Sequence, residues 1–361
     1  MTEGVAAAPR EQGWLLVMLG LAAFSLPLIP LPVVLPMRAV LPVVETVVLF
    51  VPALAACFIL GWLTGGSAWL AGLWVGMAVL ALRAAVPPDG AYPDLVRGWA
   101  LLLGAAFGVV SIAAPRQRFF SRALAAVAFA LLMAFLFLLI ADKSVEQAQA
   151  VFGEEFARRN ALLARLADLQ SAAVFSLSRE MPVIGALLDR RFFDGLVQQS
   201  VTATRLFTPL YPAMLVLESM AALTLAWAVY HRLNRARLGP PLAPLREFRF
   251  SDQLVWGFVA GLVIVVVPAF VAIDALGRNL LVLFGGLYLV RGAGVMTWYI
   301  MRLERRRLVA ASAAIGAALL FGSSSLVPAL GAVFGSVAVV PPLLLGLSDS
   351  WMDWRARARS A

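Results

Sequence analysis

The sequence predicts an all-α, polytopic membrane protein with about ten transmembrane helices and an amphipathic helical insert. Of its residues, 62% are hydrophobic and 14% are charged, whereas soluble domains are about 45–50% apolar and about 25% charged. The run Leu254–Ile273 contains no charged residue, and a bilayer-crossing helix needs about 20 apolar residues. Arginines gather at the ends of such runs, where the positive-inside rule places them.

Ten apolar runs have membrane-spanning length. They lie at about 14–36, 41–62, 66–86, 97–114, 119–141, 206–230, 253–274, 279–301, 307–324 and 326–347. The first run holds Pro27, Pro30, Pro32 and Pro36, and proline cannot donate a helical hydrogen bond, so we expect a broken or partly re-entrant element there. The predicted regions are therefore a membrane region 1–141, an insert 142–205, a second membrane region 206–347 and a basic tail 348–361.

Arginine placement predicts the orientation. Four arginine-rich stretches, at 116–122, 231–249, 302–307 and 355–359, should all lie on the cytoplasmic side. These stretches can lie on the same side only if an even number of membrane crossings separates each pair. Residues 307–347 are therefore divided near Gly322 into two spans rather than taken as one. Ten spans with both termini in the cytoplasm satisfy this condition, and we expect the protein in the bacterial inner membrane.

The segment 142–205 mixes acidic residues with arginines and does not resemble a span. Phe152, Phe156, Leu163 and Leu166 recur at helical spacing, which predicts one apolar helix face, and a second amphipathic stretch follows Pro182. Parity places this insert on the extracytoplasmic side. It could cap the helix bundle, lie on the membrane surface or bind a partner.

Several chemistries have no support in the sequence. The chain has no GxxxxGK[ST] motif for nucleotide phosphates and no HExxH motif, paired CxxC or histidine cluster for a metal. Cys57 is the single cysteine and His231 the single histidine; we expect the histidine at the membrane interface beside Arg232. We expect no cofactor and no enzymatic activity, although a metal-free enzyme using carboxylates stays open. The net charge of +9 lies at span ends, so we expect lipid rather than nucleic acid as its counterpart.

Ionisable residues inside apolar runs are the candidate ligand-binding or gating residues, because a charge at mid-bilayer costs about 2.5–3.5 kcal/mol and usually faces a partner or a pathway. Glu45, Glu218 and Arg291 lie within runs, and Arg38 lies just before the second run. A buried ion pair that only fixes helix register, such as Glu45 or Glu218 with Arg291, is the alternative.

The tail supplies candidate interface residues. Trp351 and Trp354 follow the last span at the depth where indole rings anchor among headgroups. Asp349 and Asp353 share a face if the tail is helical, and Arg355 begins the basic end. Membrane anchoring and contact with a cytoplasmic partner both explain this pattern.

Three segments resemble the YybS-like family of uncharacterised bacterial membrane proteins. They are PLIPLPVVLPMRAV (Pro27–Val40), NLLVLFGGLYLVRGAGV (Asn279–Val295) and LLLGLSDSWMDWRARAR (Leu343–Arg359). The tail matches at Gly346, Leu347, Asp349, Trp351, Asp353, Trp354 and Arg355, whereas Arg291 stands where the family pattern has a neutral amide. The resemblance implies a membrane core similar to the substrate-binding subunits of energy-coupling-factor transporters.

Two functions follow from these observations. The first is a transporter, or a substrate-binding membrane subunit that relies on an ATPase in trans or on none. The second is a non-catalytic scaffold or assembly protein of the cell envelope, which would dock membrane or cytoplasmic proteins through the insert and the tail.

Overall fold

A computed structural model describes residues 43–84, 90–177, 208–233, 238–300 and 328–354, with isolated positions between 194 and 205. Of the sequence predictions, the spans at 14–36 and 307–324, the amphipathic stretch after Pro182, and the candidates Arg38 and Arg355 lie outside these residues. The side chains of residues 43–47, including Glu45, also lie outside them.

Every regular element in the described part of the chain is helical. The α-helices are α1 (Val43–Leu63), α2 (Ala68–Ala84), α3 (Ala91–Ala113), α4 (Phe119–Ile140), α5 (Val145–Leu177), α6 (Tyr211–Leu233), α7 (Val255–Val266), α8 (Asp274–Ile300) and α9 (Pro328–Met352). Short 3₁₀ turns cover Thr208–Leu210, Leu245–Glu247, Asp252–Leu254 and Pro268–Ile273.

Four described helical stretches are long and apolar enough to cross a membrane: Ala91–Ala113, Phe119–Ile140, Thr208–Leu233 and Pro268–Tyr299. Three shorter apolar helices cover Val48–Leu63, Ala68–Ala84 and Asp252–Val266. The predicted helical membrane protein is therefore confirmed, whereas the expected count of about ten spans is not.

The charge-free run Leu254–Ile273 does not form one continuous α-helix. The helix α7 ends at Val266, and residues Pro268–Ile273 form a 3₁₀ segment that leads directly into α8. The cause is Pro268, which has no N–H to donate and restricts the backbone of the residue before it. Gly261 faces Leu280 across the resulting hairpin, so α7 and α8 are antiparallel neighbours.

One aromatic core joins α1, α3, α4 and α6. Trp227 of α6 stacks on Phe119, with ring centroids 5.7 Å apart, and meets Phe107 edge-on at 5.9 Å. The indole of Trp99 donates a buried hydrogen bond of 3.0 Å to the Ser219 hydroxyl, which ties α3 to α6. Burial of large rings contributes much of the packing energy of such a bundle.

The helix α5 packs its N-terminal half on the bundle. The Phe152 ring lies 3.9 Å from the Tyr211 ring, measured between centroids, and 5.7 Å from the Tyr92 ring. Phe156 is buried beside Tyr211. Glu155 accepts hydrogen bonds of 2.8–2.9 Å from the neighbouring arginines Arg158 and Arg159. This part of the insert therefore covers the ends of α3 and α6.

The helices α8 and α9 cross in close contact. A Cβ atom at Gly292 would overlap the backbone carbonyl of Pro342, and one at Gly346 would overlap that of Tyr288. Further along both helices, the Tyr299 hydroxyl donates to the Trp354 carbonyl at 3.4 Å. The crossing of α8 and α9 therefore leaves no room for a side chain at Gly292 or Gly346.

Candidate functional site

The connection between α6 and α7 folds back against the bundle. Its residue Gly239 has φ +85°, a left-handed conformation that glycine adopts without steric cost. The turn is held from α6, because Trp227 Nε1 donates to the Pro240 carbonyl at 3.1 Å and the Leu238 N–H donates to the Tyr230 hydroxyl at 3.2 Å. Residues 238–254 of this connection are called the linker below.

A cavity of about 450 Å³ lies between the linker and three helices. Its wall comes from the start of α4, from the middle of α6 and from the centre of α8. Apolar side chains dominate that wall, among them Leu217, Met220, Leu287 and Val290. Ligand cavities typically measure about 300–1,000 Å³ and are mainly apolar with a few placed polar groups, so this cavity is the candidate ligand site.

Charged residues lie at one end of the cavity. Arg118, Arg249 and Glu247 belong to its lining. Glu247 lies 3.6 Å from the guanidinium of Arg246, and Arg249 forms an ion pair with Asp353. The hydrogen bond from Arg249 to Asp353 is the main reason why the pKa of Arg249 lies above its usual value. Arg118 is exposed and forms no ion pair with any residue that the structure describes.

A fully buried arginine lies one helical turn after Arg118, against the linker residue Gly239. The guanidinium carbon of Arg122 is 4.4 Å from the centre of the Trp227 ring, and the residue has no exposed surface. Within the described ranges, none of its three nitrogens has a hydrogen-bond partner. A Cβ atom on Gly239 would lie 2.9 Å from Arg122 Nη2, so glycine leaves room for this side chain. A buried charge without acceptors is costly.

In a second buried arginine, Arg291 of α8, each of the three guanidinium nitrogens donates a hydrogen bond. Its Nε donates to Asp349 Oδ2 at 3.0 Å, its Nη1 to Asp252 Oδ1 at 2.7 Å and its Nη2 to the Asp349 carbonyl at 3.1 Å. Its guanidinium carbon also lies 5.3 Å from the Phe250 ring centre. Arg291 is 2% exposed, Asp349 is buried and Asp252 is 62% exposed. The cluster joins α8, the end of α9 and the linker.

The tail residues take part in the same assembly. The helix α9 continues to Met352, past the predicted end of the span at 347, so Asp349 lies on its last turns. Trp354 Nε1 donates to the Ser348 hydroxyl at 2.9 Å, while Trp351 is 69% exposed. Of the candidate interface residues described, Asp349 and Asp353 therefore bind arginines of the chain itself, and Trp351 faces outward.

The other sequence candidates are not brought into this cluster. Glu218 is half-buried on α6, and Arg291 pairs with Asp349 and Asp252 instead of with it. His231, expected at the interface, is buried with its ring 4.6 Å from that of Trp227. No group of three or more potential metal ligands occurs among the described residues.

Sequence reasoning missed Arg118, Arg122 and Asp252. Arg118 and Arg122 belong to an arginine-rich stretch that was assigned to topology alone. Asp252 lies in a connection without periodic pattern, where no spacing indicates its partner. A serine one residue earlier, whose side chain accepts from the Gln253 N–H at 3.4 Å, is the one local signal for the turn that presents Asp252.

Comparison with known families gives one result. A family model described as "Predicted membrane protein (DUF2232)" matches residues 191–337. The chain is thus similar to that family over α6, α7, α8 and the beginning of α9, which includes most of the cavity wall and Arg291. The match does not reach Pro27–Val40 or the tail after Gly346. No curated protein and no solved structure matches the chain.

Proposed function

We propose that the protein binds a small molecule in the cavity between α4, α6, α8 and the linker, as a transporter or as the substrate-binding membrane subunit of a transport system. The observation that carries this proposal is the cavity itself. It has the volume of a ligand site, and its apolar wall lies between helices of membrane-spanning length.

The hydrogen-bonding groups near the cavity favour binding over catalysis. The Thr224 hydroxyl donates to the Met220 carbonyl at 2.7 Å, so this group serves the helix. Glu247 lies beside Arg246. A general base must reach a substrate proton within about 3 Å, and the Thr224 hydroxyl is already engaged with its own helix. The sequence resemblance to YybS-like proteins, and through them to energy-coupling-factor subunits, agrees with a non-enzymatic binding role whose energy comes from an ATPase in trans or from no ATPase.

The predicted orientation indicates which side of the membrane the charged end of the cavity faces. Arg118, the linker and the tail belong to arginine-rich stretches, which the positive-inside rule assigns to the cytoplasm. The charged end of the cavity then faces the cytoplasmic leaflet, and α5 lies on the opposite side of the membrane.

Native mass spectrometry of the wild type and of two matched variants tests the proposal. Ala221 lines the cavity, and Leu225 is half-buried one turn further along α6 but does not line it. We expect a co-purifying molecule on the wild type and on Leu225→Phe, which places the same aromatic side chain on α6 away from the cavity. We expect its loss from Ala221→Phe, because the added ring fills the cavity. Absence of a bound molecule from the wild type, or equal occupancy in Ala221→Phe, contradicts the proposal.

A scaffold function is the second candidate, and one observation favours it. The helix α5, 33 residues long, presents Leu162, 48% exposed, and Leu169, 69% exposed. The same mass spectra distinguish the two functions, because a scaffold would retain a stoichiometric protein subunit rather than a small molecule.

A further inference from the structure

We infer that the ligand of the cavity is an anionic phospholipid, with its phosphate at Arg118 and its acyl chain between α6 and α8. This inference rests on the proposed binding function and names its ligand class. Three features of the described residues carry it: the apolar wall, the surplus of positive charge at one end, and the buried guanidinium of Arg122.

The wall selects for an apolar chain. Leu217 and Met220 of α6 line the cavity together with Leu287 and Val290 of α8. A sugar or a nucleotide would leave its polar groups without partners against these side chains, and each unsatisfied group costs free energy. A hydrocarbon chain has no such groups and gains from the burial.

The charges select for an anion at the end of that chain. Glu247 lies close to Arg246 and Arg249 is paired with Asp353, so these four groups nearly cancel. Arg118 keeps an exposed guanidinium without an ion pair among the described residues. Guanidinium binds phosphate through two parallel N–H···O bonds, which makes it well suited to a phosphodiester.

The Arg122 guanidinium strengthens this field from inside the protein. It stacks on Trp227, and the Trp227 ring stacks in turn on Phe119, which lines the cavity. No described group accepts a hydrogen bond from Arg122, so no carboxylate of the described chain cancels its charge locally. The N-terminal end of α4, at Phe119 and Phe120, adds the positive end of a helix dipole to the same wall.

Together these features explain how the protein can tolerate the free-energy cost of burying the Arg122 cation. An uncompensated buried cation destabilises the fold, and a bound phosphate nearby would offset part of that cost through the low-dielectric interior. The bilayer supplies such a phosphate on a hydrocarbon chain at high local concentration.

The test uses the full chain in nanodiscs that contain equal amounts of phosphatidylglycerol and phosphatidylcholine, with retained lipids counted by native mass spectrometry. The variant Arg118→Gln removes the proposed contact. Its matched control is Arg116→Gln, which changes an exposed arginine of the same loop that does not line the cavity. Ala221→Phe, which fills the cavity, is measured in parallel.

We expect the wild type and Arg116→Gln to retain phosphatidylglycerol over phosphatidylcholine by about tenfold, the size of one charge-assisted contact. Arg118→Gln should lose most of this preference, and Ala221→Phe should retain neither lipid at the site. Added inorganic phosphate should leave the bound lipid in place. Displacement of the lipid by phosphate would show that the site binds a free anion and would overturn the lipid assignment. Equal retention of both lipids by the wild type, or an unchanged preference in Arg118→Gln, overturns the inference but leaves the proposed cavity function intact. Failure of Ala221→Phe to release any bound molecule overturns both.

Discussion

The buried ion pair between Arg291 and Asp349 should be among the most costly interactions to break in the described part of the chain. In Arg291→Ala, the Asp349 carboxylate loses a hydrogen bond of 3.0 Å and its carbonyl loses one of 3.1 Å, while the carboxylate stays buried. Breaking a buried pair from one side costs about 3–5 kcal/mol, because it leaves an uncompensated charge. We expect a loss of that size in the free energy of unfolding, measured by SDS titration of the detergent-solubilised protein with tryptophan fluorescence.

The exposed partner of the same arginine gives the matched control. Asp252 lies 2.7 Å from Arg291 but is 62% exposed, so Asp252→Asn should cost about 0–1 kcal/mol, as solvent-exposed pairs do. Adding Asp349→Asn to Arg291→Ala should recover part of the loss, because the double variant no longer buries a carboxylate that has lost its Arg291 partner. The reasoning is refuted if Arg291→Ala costs no more than Asp252→Asn.

Two further perturbations test packing and charge at other places. Gly292→Ala should lower the yield of folded protein and destabilise it by about 1–3 kcal/mol or more, because the new methyl overlaps the Pro342 carbonyl; Gly98→Ala, where no heavy atom lies within 4 Å of the new Cβ, should be neutral or stabilising in the same SDS titration. Burial on its own raises the pKa of Glu155, but the hydrogen bonds and charges of Arg158 and its neighbour more than offset this, so the pKa lies below its usual value. The folded state thus favours the ionised carboxyl, and its contribution to stability is present above the unfolded pKa, about 4.3, and disappears as the pH falls through the lower folded value. Thermal unfolding at a series of pH values should show Glu155→Gln less stable than the wild type near neutrality and equal to it in acid; a constant difference at all pH values would contradict this assignment.

One helix with a simple apolar pattern was predictable from the sequence almost to the residue. The run predicted at 119–141 is α4, Phe119–Ile140, because hydropathy falls sharply at both of its ends. The prediction was poorer where backbone chemistry and hydropathy disagree. The run Leu254–Ile273 is uniformly apolar, but Pro268 ends its α-helix early, and α9 continues past the fall in hydropathy at Ser348 because its backbone hydrogen bonds need no apolar side chains.

The candidate site was predictable only in part, for a related physical reason. Arg291 was identifiable because a charge inside an apolar run needs a partner. The identity of that partner depended on the packing of α9 and the linker, which no local pattern encodes. Arg122 was missed because an arginine near a span end normally extends its charge to the interface, and only the fold shows that Trp227 and Gly239 enclose it instead.

The linker contributes both to the cavity wall and to the ion pairs with Arg291 and Asp353. Residues 240–243 and 247–249 form part of the cavity wall, while Asp252 binds Arg291 and Arg249 binds Asp353. A movement of the α9 end would therefore pull on the same segment that closes the cavity. Asp353 holds the linker directly through Arg249, and Asp349 holds it through Arg291, which also binds Asp252. On the proposal that a ligand binds this cavity against the linker, any preference of the ligand for the arrangement with these ion pairs formed requires an equal preference of that arrangement for the ligand.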